Sequence, residues 1–316
     1  MASPLISVVV CTYNRADLLK LALQSLQEQT AGPETFEVIV VDNASTDHTA
    51  SVVRSFIEQG WVQLGYVHEP EQGLSVARNT GMRHARGEYV AYIDDDAKAD
   101  SDWVENIARC AQEWSPDGVG GPIFAYYLNE KPDWWLDRYG VEQVTTESRY
   151  LVEGEHLTGV NMVFRKEVLE DLGGFRPEFG MKGDRLGLGE ETDLIRRYFE
   201  QAERPTIYYS QDVIVYHFIP AWKMDLWKRW RAAIGIDKTM LEAAHARFGW
   251  RGGLARAAKH VPLLVWDVLG GQFLRDRAAY PYRQNYLFEV MLRRTGYVAS
   301  LVSYLLNLRW QGGWAR

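Results

Sequence analysis

Three consecutive carboxylates, Asp94-Asp95-Asp96, follow the apolar pair Tyr92-Ile93. Adjacent anions repel at short range, so a fold tolerates them best where a divalent cation or several hydrogen-bond donors neutralise them. A hard ion such as Mg2+ or Mn2+ takes carboxylate oxygens and completes its shell with water or phosphate oxygens. A solvated acidic turn, or a helix start whose dipole favours Asp, accounts for the same residues. A second acidic group, Glu190-Glu191-Thr192-Asp193, precedes Leu194 and a helical pattern. A carboxylate there suits removal of a proton from a hydroxyl, and the same acids also complement a helix dipole. Asp42 closes the apolar run 38–41 and could accept a hydrogen bond from a base or ribose, or cap the next helix. Arg78, within GLSVARNTG, offers charge to a phosphate or base carbonyl; an exposed helix position is its other setting. His217 follows the run 213–216, where a metal-ligating imidazole and a structural one are both open. Trp134 and Trp135 offer flat apolar faces for stacking on a sugar or for covering a core, and one of each role is expected.

These side chains need elements to hold them. Residues 6–10 form a short β-branched run that ends in Thr12-Tyr13-Asn14-Arg15, and leucines at helical spacing follow from Leu18 to Leu26. Residues 36–41 repeat the theme before Asp42, with Ser45, Thr46 or Asp47 as the cap of a second helix. A strand at 62–68, a helix at 74–84 and a strand at 89–93 complete the series. Strands alternating with helices imply a mostly parallel sheet with right-handed crossovers, and such sheets bind ligands beyond the carboxyl ends of their strands. Thr12 to Arg15, Asp42 and the acid triplet therefore converge on one rim. After Trp114 the pieces shorten. A segment at 159–164, a helix at 167–172, a loop at 173–189, a helix at 191–202 and strands at 207–209 and 213–216 are expected. The expected division is 1–115 as a nucleotide-binding half, 116–221 as an acceptor-side half, and 222–316 as a basic, helical region.

Composition bounds the reading. With 316 residues, 47% apolar and 24% charged, the chain sits among globular proteins and outside the disordered and collagenous classes. A net charge of −7 argues against a general nucleic-acid binder. Cys11 and Cys110 make no disulfide framework or zinc spacing, which points to a reducing compartment. The opening MASPLISVVV lacks a basic leader pattern, so no signal peptide is expected. Charge is uneven: residues 222–316 carry 16 Lys and Arg against 6 Asp and Glu, and residues 1–221 carry 19 against 36. The late apolar runs 261–274 and 296–308 fall short of the ~20 residues of a transmembrane helix, so none is expected. Trp222, Trp227 and Trp230 alternate with Lys223, Lys228, Arg229 and Arg231. Aromatic faces bordered by cations suit peripheral attachment to anionic lipid, each cation contributing about 1 kcal/mol. Packing on the acidic half, or on a second copy as a homodimer, is the other reading.

The segments SVVVCTYNR, VIVVDNASTD, GLSVARNTGMRHARGEYVAYIDDDA, TGVNMVFRKEVLEDLGGF and GEETDL, in this order over about residues 5 to 220, resemble glycosyltransferase family 2. The resemblance implies an α/β chain of the inverting, GT-A type, with a mostly parallel central sheet flanked by helices and a mainly helical C-terminal extension. It also implies a nucleotide-sugar donor, a UDP-sugar by expectation, whose diphosphate is held by a divalent cation, Mn2+ or Mg2+. By the same resemblance Thr12, Tyr13 and Arg15 border the nucleotide, Asp42 faces the base, and Arg78 assists nearby. Asp94 would meet the ribose and Asp96 the metal, with Asp95 between them and His217 as a further metal ligand. Relatives usually read Glu-Asp where this chain has Glu190-Glu191. Register favours Glu191 as the base, and the change leaves Glu190 as an alternative. Glu190, Asp193, Trp134 and Trp135 would lie on the acceptor side.

The implied activity is transfer of a hexose, with inversion, to a hydroxyl of a glycan or lipid-linked acceptor in cell-envelope assembly. The implied location is the cytoplasm, at the inner face of the membrane if the tail binds lipid. Two other classes are weighed. A nucleotidyltransferase would want a glycine-rich, lysine-bearing loop near the first strand, which CTYNRAD lacks. A non-catalytic nucleotide-sugar-binding module would not need both Asp96 and Glu191.

Overall fold

In β1 (Ile6–Thr12) the odd and even side chains are both buried: Ile6, Val8 and Val10 join one apolar layer and Val9 the opposite one. A strand covered on both faces belongs in the middle of a sheet, where continuous β-branched runs are stable. β1 pairs in parallel with β2 (Phe36–Asp42) and with β4 (Tyr89–Asp94), and β3 (Leu64–His68) adds outside β2. The third strand begins two residues later than its apolar run, because Val62 is 87% exposed. The computed structural model describes residues 3–182, 189–228, 266, 278 and 280–291.

The eight-stranded sheet has the order β3-β2-β1-β4-β9-β6-β10-β8. β9 (Met162–Arg165) runs antiparallel to both β4 and β6 (Gly118–Gly120), so β6 regains the direction of β4. β10 (Ile207–Tyr209) is parallel to β6, and β8 (Arg149–Tyr150) is an antiparallel edge. The ends of β1, β2, β4, β6 and β10 consequently share one rim. Helices α1 (Ala16–Gln27), α2 (Thr49–Glu58) and α4 (Trp103–Trp114) cover one face through Leu19, Leu23, Val53, Phe56, Trp103 and Ile107. Helices α3 (Leu74–His84), α5 (Lys166–Asp171) and α6 (Glu190–Gln201) cover the other through Ala77, Leu169 and Leu194. α3 lies tight on β1: a Cβ on Gly81 would stand 2.3 Å from Val9 Cγ1, so only glycine permits this approach.

A second, three-stranded sheet, β5-β11-β7, was not foreseen. Only two residues after β4 the chain enters β5 (Ala97–Ala99), which pairs antiparallel with β11 (Val215–Phe218), and β11 pairs in parallel with β7 (Ile123–Tyr126). The acid triplet is therefore a turn between two sheets, held from both sides.

Chain contacts define two compact units. One comprises Met1–Tyr126 with Gly140–Phe218, the other Tyr127–Tyr139 with Ile219–Arg316. The segment Tyr127–Tyr139, expected within the acceptor-side half, thus groups with the C-terminal part. There Trp135 is 2% exposed. Its ring packs edge-on to Trp134, Tyr139 and Phe288 at 5.6, 5.4 and 5.4 Å. Its Nε1 donates to Tyr127 Oη at 2.9 Å. Arg138 Nη2 reaches Glu289 Oε1 at 2.6 Å, and the Asn285 amide donates to the Trp134 carbonyl. Among the described residues no helix is long and apolar enough to cross a membrane. The apolar runs 261–274 (apart from residue 266) and 296–308 lie outside the described residues, as do Arg229, Trp230 and Arg231.

Candidate active site

The loops after β1 and β2 are stitched together. Asn14, with φ at 53°, donates its backbone N–H to Ser45 Oγ at 2.9 Å and accepts from Thr46 N at 2.7 Å. Asp47 accepts from Ala16 N at 3.1 Å and from Thr49 N at 3.0 Å, so it satisfies orphan donors at the start of both α1 and α2. This fixes the loop that carries buried Thr12 and half-buried Tyr13. Asp42 is 2% exposed. It accepts from Ser45 N at 2.8 Å and from Tyr66 Oη at 2.7 Å, so each carboxylate oxygen already holds one donor.

Arg15 turns toward the acids. Its Nη1 lies 3.1 Å from Asp95 Oδ1 and 3.0 Å from Asp96 Oδ2. Burial pushes Asp95 up to about 7, against the pull of Arg15, and burial likewise holds Asp94 above the ordinary carboxylate range, against Arg78. On β11 the register sets His217 opposite Ala97, and its Nε2 sits 3.2 Å from Asp96 Oδ1. The Tyr126 hydroxyl, absent from the sequence-derived set, is buried with no hydrogen-bond partner among the described residues. Burial, and then the charges of Asp96 and Asp95, push it up to about 12.

Arg78 is the hub. It is 2% exposed, and it bridges two elements. Nη1 meets Glu190 Oε1 at 2.9 Å, and Nη2 meets Asp94 Oδ1 at 3.4 Å. The room comes from Gly159, where a Cβ would stand 2.2 Å from Nη2. The acid triplet and the start of α6 therefore share one electrostatic network. Gly189, with φ at 96°, makes the left-handed turn into α6. Oε2 of Glu190 and Oε2 of Glu191 are both buried and find no hydrogen-bond partner among the described residues. Burial, followed by the charge of Glu190, pushes Glu191 up to about 7.

Two expected acceptor-side groups are otherwise engaged. Asp193 meets Arg197 Nε at 2.8 Å, Arg196 Nη2 at 2.9 Å and Arg176 Nη1 at 3.4 Å. Burial works to raise Asp193, and the bonds from Arg197 and Arg196 outweigh it, leaving the group below its ordinary value. Trp135 has its faces packed, and both tryptophans belong to the second unit.

The chemistry of a divalent cation fits the corner where Asp96 Oδ1 and His217 Nε2 converge, two hard-to-borderline donors beside the buried carboxylate of Asp95. Among the described residues no three acidic, His or Cys side chains surround one point, so most of the ion's shell would come from phosphate and water.

The family model Glycosyl transferase family 2 matches residues 7–173. The chain belongs to glycosyl transferase family 2. The chain is similar to the succinoglycan biosynthesis protein ExoM of Rhizobium meliloti, 29% identical over 80% of this chain and 81% of that one. The glucosyl-dolichyl phosphate glucuronosyltransferase of Haloferax volcanii is 29% identical over 65% of this chain and 67% of its own. The mannosyltransferase PcManGT from Pyrobaculum calidifontis, solved in complex with GDP-Man and Mn2+, superposes with a TM-score of 0.63 at 22% identity, over 98% of this chain and 89% of that one. S. aureus TarS 1-349 in complex with UDP-GlcNAc follows at 0.55 and 18%, over 96% and 92%. The family 2 fold here is the GT-A fold, an α/β architecture with a mainly parallel sheet. The protein is a glycosyltransferase.

Proposed function

We propose that this glycosyltransferase moves a hexose with inversion from a nucleoside-diphosphate donor, a UDP-sugar, to a hydroxyl of a glycan or lipid-linked acceptor. The observation that carries the reading is the Arg78 bridge, which ties the acid triplet of the donor side to the helix start bearing Glu191. The dolichyl phosphate and succinoglycan in the names of two relatives support the acceptor class, and the Mn2+ and UDP-GlcNAc in two structural neighbours' titles support the donor side.

In this reading Glu191 takes the proton of the acceptor hydroxyl as that oxygen attacks the anomeric carbon from the face opposite the leaving diphosphate. Arg78 pairs with Glu190 Oε1 and keeps that carboxylate oriented, and Glu191, which makes no ion pair among the described residues, takes the proton. Asp96 and His217 would hold a divalent cation, which supplies neutralisation of charge on the diphosphate when bound. Arg15 holds Asp95 and Asp96 in place, and the stitched loops at 12–15 and 42–47 form a rigid seat for the nucleotide.

Calorimetric titration tests the donor side. UDP should bind more tightly with Mn2+ than without, and Asp96→Asn should abolish that increment. An unchanged increment in Asp96→Asn sinks the metal role, and a larger thermal shift with GDP than with UDP reassigns the base. Trp222 and Trp227, 42% and 62% exposed beside Lys223 and Lys228, support peripheral attachment to anionic lipid. Flotation with anionic liposomes at low salt, lost at high salt, is the expected result. Absence of flotation at low salt would leave packing within the protein as the role of these residues.

A further inference from the structure

The carboxyl rim continues beyond Asp94. Because β6 and β10 run in the direction of β4, Gly121 and Tyr209 lie on that same rim, across β9 from the acid triplet. A cavity of about 380 Å3 opens there, lined among others by Ile123, Glu142, Gln143, His156, Leu157 and Thr158. That volume is in the range of small-molecule sites.

Its walls are fixed before any ligand arrives. Glu142 exchanges two backbone hydrogen bonds with Ile123, both at 2.9 Å. Gln143 Nε2 donates to Gln211 Oε1 at 2.6 Å, and Val144 N donates to Tyr209 Oη at 3.3 Å. Leu157 fills the space over Gly120, where a Cβ would stand 2.3 Å from its Cδ2. The chemistry of the lining is selective. Two carboxylates, a carboxamide, an imidazole and two hydroxyls surround the apolar side chains of Ile123 and Leu157, and the lining holds no lysine or arginine. Glu155 is already paired with Arg149, Nη2 to Oε1 at 2.6 Å, so a phosphate would meet the carboxylate of Glu142 with no cation in the lining to offset it, whereas a neutral pyranose presents hydroxyls to such a group and an apolar C–H face to the aliphatic floor. Thr158 immediately precedes Gly159, which abuts the guanidinium joining Asp94 to Glu190.

We propose that this cavity is a subsite for a neutral hexopyranose unit of the acceptor, the unit next to the one that carries the attacked hydroxyl. The assignment rests on the transferase reading above and adds the class of acceptor: a saccharide of at least two units, recognised without charge.

The test is binding to the full chain without nucleotide. Imidazole NMR signals of His156, assigned through His156→Gln, are followed during titration with methyl β-glucopyranoside, methyl β-galactopyranoside and methyl α-mannopyranoside. At least one glycoside should shift them saturably, and Glu142→Ala should weaken that binding about tenfold, as loss of a hydrogen bond to a charged acceptor does. Thr158→Val, which keeps the side-chain shape, should weaken it as well. No shift from any of the three up to about 100 mM, a ceiling suited to weak affinities, overturns the proposal, as does a response that Glu142→Ala and Thr158→Val leave unchanged. A shift caused by UDP and not by the glycosides would assign the cavity to the donor, and also overturns it. Since the readout needs no turnover, glycoside binding combined with full activity of Glu191→Gln would sink the catalytic reading alone. Loss of activity in that variant without glycoside binding would sink the subsite alone.

Discussion

Glu191→Gln lowers the transfer rate about a thousandfold, within the span that a positioned general base contributes, and leaves nucleotide affinity unchanged. Glutamine keeps the volume of the side chain and removes its proton affinity. The wild-type Oε2 is buried and has no hydrogen-bond partner among the described residues, so its electron pair is not already committed to a neighbouring donor. The pH dependence follows with a definite sign. Glu191 is pushed up to about 7, so as the proposed base it would be protonated and idle below that value and active above it. The wild-type kcat/KM rises with pH through a midpoint near 7, well above an ordinary glutamate, and then levels. In the glutamine variant that limb disappears. Initial rates measured over about pH 5 to pH 9 check both statements. A variant with full activity would take the base role from Glu191 and give it to Glu190, whose Oε2 is likewise without a hydrogen-bond partner among the described residues.

Arg78→Met has the larger effect on stability. The guanidinium is buried, and it satisfies Asp94 and Glu190 together. Removing one member of a buried ion pair leaves uncompensated charge and costs about 3–5 kcal/mol. For a unit of this size that lowers Tm by about 10 °C. Arg78 also pulls the Glu191 carboxyl down, so without it the activity limb moves to higher pH, in the direction opposite to loss of Glu190 charge. Arg78→Lys should recover part of the stability and less of the activity, because an ammonium cannot reach both carboxylates with a planar fork. Thermal denaturation and the pH-rate profile of the two variants separate these effects. A Tm within about 2 °C of wild type, with an unmoved limb, would show that the bridge does not hold the site together.

β1, β2 and β4 were legible because they are buried on both faces and so appear as short apolar runs, each ending at the polar residues expected of it. The helix at 74–84 and the strand at 207–209 match residue for residue, since glycine or proline punctuates their flanks. The three-stranded sheet was illegible. Ala97–Ala99 is too short to show a period, and its partners lie far along the chain. The burial of Arg78 was illegible, because the hollow that receives it is made by Gly159, a residue with no chemistry of its own. Asp193 is different: Arg196 and Arg197 stand three and four residues on, and that spacing on one helix announces an ion pair in the sequence itself. The grouping of Tyr127–Tyr139 with the C-terminal part depends on contacts such as Arg138 to Glu289, about 150 residues apart, which no local pattern reports.

Asp47 accepts the leading amides of two helices at once. The first turns of α1 and α2 are therefore held by one side chain, through its two separate oxygens. Displacing that one carboxylate removes a cap from both helices, so a substitution at Asp47 loosens two helix starts where an ordinary cap loosens one. A loop tied in this way is ordered before any ligand reaches it.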